Sequence, residues 1–272
     1  MNYFQSTTYW IAFVGAFLAV AVWESFQPKR PLSGPAERRW GSHAVLLLVS
    51  TLLVKVVLRV SPVVVATAVA GSRWGILNRP WLPFAVRCAA TLLLLDLTNY
   101  LVHRTYHAVG FLWRVHEVHH SDPDYDVSTA GRFHPLEVLI GQTGLLSVIA
   151  LSAPPPAAVF AAELLTLLIN FFVHANVSLP VPVERVLRTV IITPGLHRIH
   201  HSEEMEEQWT NLGQTFSWWD RLFGTYLDEP DSGEDRLVTG VKGLQTPASA
   251  ALGFMLSEPF RSREQSQADP IV

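Results

Sequence analysis

Residues 82–120 read LPFAVRCAATLLLLDLTNYLVHRTYHAVGFLWRVHEVHH, an apolar run that ends in five imidazoles. From Leu82 to Val102 the run is long enough for the ~20 residues that cross a bilayer, with Arg87 near its start and Asp96 near its end. His103 and His107 follow at i and i+4. On a continuing helix both project from one face, and Asp96 and Tyr100 fall on the same stripe. His116, His119 and His120 stand at i, i+3 and i+4, again one face of a helical turn. The expected element is a membrane-spanning helix with metal-ligand side chains at its end.

Four other apolar runs extend that reading. Tyr9 to Trp23 is apolar apart from Gly15 and is flanked by Tyr3, Phe4 and Phe26, as interfacial aromatics would be. Met1 to Thr8 carry no side-chain charge, so this segment is read as a span rather than a cleaved signal. Ala44 to Ala70 contains Lys55, Arg59 and Pro62, whose charges must snorkel or face protein. The runs Leu136–Leu151 and Ala157–Val173 are separated by Pro154, Pro155 and Pro156 and read as a helical hairpin. The expected fold is all-α, an integral membrane domain of four to five spanning helices. Lys29, Arg30, Arg38 and Arg39 crowd the first loop, against Arg73 and Arg79 in the next and none at the proline turn. The positive-inside rule therefore puts the first loop, and with it the histidine-rich cap and the C-terminal tail, on the cytoplasmic side.

Composition agrees. Of 272 residues 49% are hydrophobic and 16% charged, below the roughly 25% charged of a soluble domain. A net charge of -3 is too near balance for a protein that grips nucleic acid by counterion release. The lone Cys88 excludes an internal disulfide.

Ten of the 11 histidines lie between His103 and His201. The spacing of His116, His119 and His120 returns at His197, His200 and His201, within the similar segments HEVHHS and HRIHHS, which suggests two similar half-sites. Eight clustered imidazoles exceed what one metal uses, since zinc takes four ligands; the count points to a two-metal centre. Neutral nitrogen ligands also suit a site beside a bilayer, where added negative charge is costly. A single histidine of this kind is ordinarily a hydrogen-bonded surface or core residue, but that account does not extend to three clusters.

Several motifs occur in a fixed order: DLTNY (96–100), HRTYH (103–107), HEVHH (116–120), RFHPLE (132–137), FVHAN (172–176), TPGLHRIHH (193–201), Asn211, and WDRLFGT (219–225). In these the chain resembles the fatty acid hydroxylase and sterol desaturase superfamily of integral membrane di-iron proteins. The resemblance covers about Asp96 to Tyr226; the first ninety residues add only hydrophobic helices. It implies two irons, with zinc as a possible substitute, held by His103, His107, His116, His119, His120, His174, His197, His200 and His201. His134 is a further ligand candidate, with a structural role as the alternative because Pro135 places it at a helix start. Asp96, Glu117 and Asn176 are the catalytic candidates, and Asn99 and Glu137 could help orient imidazoles. For Asp96 a pairing with Arg87 or a lipid headgroup is the alternative.

The activity implied is oxygen-dependent hydroxylation or desaturation of a C–H bond in a lipid, sterol or fatty-acyl substrate, with dioxygen as co-substrate. No nicotinamide, ATP or haem-attachment motif is present, so electrons are expected from a donor protein such as a cytochrome b5-like protein, ferredoxin or reductase. The acidic run Glu203–Glu207 reads as a solvated face, with docking of a basic redox protein as the sharper alternative. Phe216, Trp218, Trp219 and Phe223 are expected at the membrane interface. Two other readings use the same imidazoles: a membrane zinc hydrolase with Glu117 as base, and a bis-histidine haem electron carrier. The chain divides into N-terminal helices (1–90), a catalytic domain (91–228) that includes the hairpin at 136–173, and a polar tail (229–272) whose last residues, 262–272, read as a frayed end.

Overall fold

The computed structural model describes residues 3–122 and 124–261, with side chains from residue 7 onward; the end at 262–272 lies outside the described residues. Among these there are twelve α-helices and no β-strand. In chain order they are α1 (Tyr3–Phe26), α2 (Ala36–Leu58), α3 (Pro62–Val69), α4 (Phe84–Ala108), α5 (Gly110–His120), α6 (Pro135–Ser152), α7 (Pro156–Val173), α8 (Val181–Leu187), α9 (Pro194–His200), α10 (Met205–Gln208), α11 (Trp218–Phe223) and α12 (Leu252–Ser257). Five segments are long and apolar enough to cross a membrane: 7–26, 36–69, 84–108, 135–152 and 156–173.

Local chemistry sets their ends. α2 stops where Arg59 adopts a left-handed conformation (φ 58°), and α3 restarts at once with Ser61 capping the Val64 N–H and Pro62 in the first turn. The long second run is thus one membrane-length segment with a break, and Lys55 and Arg59 are exposed on it. The proline turn separates α6 from α7 as expected, helped by a left-handed Ala153. Aliphatic side chains of α3, α4, α6 and α7 interlock around Val63, Ala66, Leu95, Ile149, Val159 and Ala162. α1 lies along α7 through edge-to-face contacts of Phe13 and Phe17 with Phe171. Their outer faces leave Ile11, Val56 and Leu151 bare, as lipid-facing residues would be.

The two ends of the bundle differ. At one, the loop after α3 meets the proline turn, where Leu77 N–H donates to the Ser152 carbonyl at 2.9 Å and Trp74 Nε1 to the Ala150 carbonyl at 3.1 Å. Gly75 is required there, because a Cβ would stand 2.2 Å from that of Ala153. At the other end the first loop meets the cap. Arg30 N–H donates to Asn176 Oδ1 at 3.1 Å, and buried Arg39 pairs with Asp122 at 3.0 Å and with Asp126. Burial pushes the Asp122 carboxyl up, but Arg39, His43, Arg132 and the Thr129 hydroxyl together hold it down at about 2. The first loop and the histidines therefore share one end of the bundle.

The tail from residue 229 to residue 261 folds back on this cap end. Met255 of α12 is buried with Leu46 and Val118, and the Ser249 carbonyl accepts from Arg132 at 2.8 Å.

Candidate metal centre

Nine imidazoles converge where four helices end. α4 supplies His103 and His107, and α5 supplies His116, His119 and His120. His174 follows the last residue of α7, while α9 and its C-cap supply His197, His200 and His201. α9 is short but well started, with Thr193 capping the Leu196 N–H and Pro194 in the first turn. All nine are buried.

The nine fall into two groups, His103, His107, His116, His120 and His200 in one and His119, His174, His197 and His201 in the other. Within each, one ligand atom per residue lies within 4.8 Å of the others. The two repeated segments do not form one half-site each, as their similarity suggested. Each straddles both groups: the i and i+4 residues (His116 and His120, or His197 and His201) enter one, and the i+3 residue (His119 or His200) enters the other. At about 100° per residue, i+3 and i+4 point to opposite sides of i, so a single helical turn can serve two metals. α4 then completes the first group with an i, i+4 pair, and α7 completes the second with one residue.

Five imidazoles are aimed from behind. Nδ1 of His103, His174 and His200 lies 2.8, 2.8 and 3.0 Å from the carbonyls of Leu212, Asn170 and Thr210, and that of His119 lies 3.3 Å from the Arg132 carbonyl. His116 Nδ1 is 2.6 Å from Glu137 Oε1. A carbonyl can only accept, so Nδ1 carries the proton and Nε2 presents a lone pair inward. Inside, the ring nitrogens converge: His103 Nε2 is 3.1 Å from His116 Nε2, and His174 Nε2 is 3.2 Å from both His119 Nε2 and His197 Nε2. His107 Nε2, His200 Nε2 and His201 Nε2 have no hydrogen-bond partner among the described residues. Burial, reinforced by neighbouring histidines, drives His116, His119, His120, His197, His200 and His201 well below their usual 6.5, and takes His174 to about 4. Two groups of buried imidazoles, with inward Nε2 lone pairs on His103, His119, His174 and His200, fit two borderline cations such as iron or zinc.

A cavity of about 210 Å³ opens beside this centre, lined by His103, His116, His119, His174 and His197 on one side and by Val102, Val138 and Leu145 on the other. It lies between α4, α6 and α7, so it points into the membrane-spanning bundle.

Four candidates stand outside both ligand groups. Asp96 is on α4 but turns to the segment before α11, accepting from the backbone N–H groups of Thr215 and Phe216 at 3.0 and 3.1 Å and from Trp219 Nε1 at 2.8 Å. It meets neither Arg87 nor a histidine there; it ties the 213–219 segment to the span. Asn176 clasps the first loop, accepting from Arg30 N–H and donating to the Arg30 carbonyl at 2.8 Å. His134 belongs to neither ligand group: its Nδ1 accepts the Leu136 N–H at 3.2 Å and so caps α6. Glu117 is buried on α5 and also stands outside both groups. The carbonyl partners of the imidazoles went unnoticed in the sequence, and no residue type would have marked them. Trp218, Leu222 and Phe223 are exposed beside the span that carries Tyr100, where Phe223 stacks on the tyrosine at 5.3 Å.

Residues 88–225, half of the chain, match the family profile described as fatty acid hydroxylase. The chain belongs to that family. It is similar to the ornithine lipid hydroxylase OlsE of Rhizobium tropici, 31% identical over 189 residues that cover 68% of this chain and 54% of that protein. It is also similar to the alkylglycerol monooxygenase of Homo sapiens, 35% identical over 136 residues, covering 49% of this chain and 29% of the relative. The alkylglycerol monooxygenase of Caenorhabditis elegans is 32% identical over 160 residues, 57% of this chain and 30% of the relative. The chain thus spans about half the length of the first of these relatives and under a third of the others. No solved structure matches it. The family match takes in all nine clustered histidines and the segment tied to Asp96.

Proposed function

We propose that this membrane protein is an oxygen-dependent oxidoreductase that hydroxylates a C–H bond of a lipid, using two irons held by the nine histidines. The carrying observation is the division of those buried histidines into a group of five and a group of four, each with its ligand atoms within 4.8 Å of one another. Iron suits this better than zinc, which has no redox chemistry. When bound, the two irons would supply the redox chemistry that activates dioxygen.

The chain's own residues do the rest. Glu137 and the carbonyls of Leu212, Thr210, Asn170 and Arg132 hold the imidazoles in one tautomer and one orientation. The apolar walls of the cavity exclude water and receive an acyl or alkyl chain directly from the bilayer. Hydroxylation is preferred to desaturation because the relatives named above are a hydroxylase and monooxygenases. Electrons come from a donor protein that meets the cap, and the positive first loop, which shares its end of the bundle, supports a cytoplasmic side for that cap.

His119→Ala and His200→Ala test the reading, because each removes the i+3 ligand of one repeated segment. Each variant should lose iron, measured on anaerobically purified protein, and lose more than the 10–100-fold in oxygen-dependent turnover of a lipid extract that removing an outer partner of a metal ligand costs. Iron and turnover retained in both variants would sink the proposal. Turnover that needs zinc and no dioxygen would favour a hydrolase instead.

A further inference from the structure

The cavity beside the histidines does not end at its apolar wall. A second cavity of about 250 Å³ shares Asn99, Gln142, Thr166, Asn170 and Gln214 with the first and runs on between α1, α6 and α7 to Tyr9 and Glu163. A channel built only for a hydrocarbon chain needs none of these polar side chains.

Glu163 is the outlier among them. It lies within the span 156–173, flanked by Ala162 and Leu164, and it is the only acid on α7. Its Oε2 is shielded from solvent and has no hydrogen-bond partner among the described residues. Neither cavity is lined by Lys or Arg among those residues. An acid inside a span is costly and is kept where it pairs with something or serves a function. Tyr9 lines the same cavity and feels the Glu163 charge, but no described side chain hydrogen-bonds its Oε2; the cavity in front of the carboxyl is where a donor would come.

We propose that Glu163 is a substrate-recognition residue that accepts a hydrogen bond from a donor group, hydroxyl or amine, on the lipid that enters the channel. Eleven residues separate it from His174 along α7 and its cap, so at the helical rise the donor sits about 16 Å from the histidine end. The preferred substrate is a chain with a donor at that distance from the carbon to be oxidised, and a plain hydrocarbon chain binds less well. This deepens the lipid-oxygenase reading and rests on it for the identity of the occupant.

The experiment is equilibrium binding to the intact protein in lipid nanodiscs. Three single-chain probes of one length are compared: unsubstituted, hydroxyl-bearing and primary-amine-bearing, with the group at the matching position. The wild type should bind at least one donor-bearing probe about tenfold more tightly than the unsubstituted one, the scale of a hydrogen bond to a carboxyl. Whichever donor gives the preference identifies the class. Glu163→Leu should reduce the preference to within about twofold by weakening only the donor-bearing probe. Glu163→Gln, which keeps an accepting oxygen, should retain more of it for the hydroxyl than for the amine. Iron content and thermal midpoint report whether each variant folds. Equal affinities for all three probes in the wild type, or an unchanged preference in folded Glu163→Leu, would overturn the proposal. Failure of the oxygenase reading looks different: no iron-dependent turnover, with the binding preference intact.

Discussion

The group of five and the group of four are made of the same residue type but are supported differently. The first has a carboxylate behind it, Glu137 on His116, together with the carbonyls of Leu212 and Thr210. The supports seen behind the second are backbone carbonyls alone, Arg132 on His119 and Asn170 on His174. A carboxylate makes an imidazole a stronger donor to a metal than a carbonyl does. The first group should therefore hold its metal more tightly and make it harder to reduce. Glu137→Gln breaks this difference most directly. It should lower metal affinity of the five-histidine group by 10–100-fold, with the loss of roughly one equivalent of iron on dialysis against a chelator and the second equivalent kept. Loss of both metals together would mean that the groups are not separately supported.

Acid should act on both groups alike. The imidazoles outside the spans are neutral in the fold because burial pushes them well below 6.5, the value they recover when the chain unfolds. Below pH 6.5 the unfolded chain binds protons that the folded chain refuses, so stability is present in full above that pH and falls as pH drops below it. For His174 the loss runs down to about pH 4, where the folded imidazole itself titrates. Thermal unfolding of metal-free protein across this range should show the midpoint falling from pH 6.5 downwards. If carboxylates governed acid stability, the fall would begin near their ordinary values, around pH 4. A flat midpoint between pH 6.5 and 5 would show that the imidazoles are not held neutral.

Why some of this was legible in advance is a matter of range. The spacing of His116, His119 and His120 is local, so helical geometry alone places them on one face, and the same holds for His197, His200 and His201. The spans were equally plain, since each apolar run had to match the bilayer. The second was read from Ala44, yet α2 begins at Ala36, because its first turns pair with the cap through Arg39. Asp96 shows the limit. Its register with His103 suggested a shared purpose, but its partners lie about 120 residues away at Thr215, Phe216 and Trp219, and nothing in the spacing encodes that loop. The partition of each triplet between two ligand groups was implicit in the angle between i+3 and i+4, whereas the supports behind most imidazoles are main-chain carbonyls, which every residue possesses.

His134 gives the smallest effect and the clearest contrast with its neighbours. It sits in a family motif three residues from Glu137 and is the one histidine between His103 and His201 left out of both ligand groups. Its ring is occupied with the first turn of α6, where Nδ1 accepts the Leu136 N–H and Pro135 follows as the first helical residue. Alanine there removes a cap and no ligand. The cost should be about 1 kcal/mol, typical of losing a capping side chain, with both iron equivalents retained. His134→Asn, which can accept the same N–H, should recover most of that stability. A loss of iron in His134→Ala at unchanged fold would instead make this histidine a tenth ligand, reached by a rotation of α6 that would also carry Glu137 away from His116.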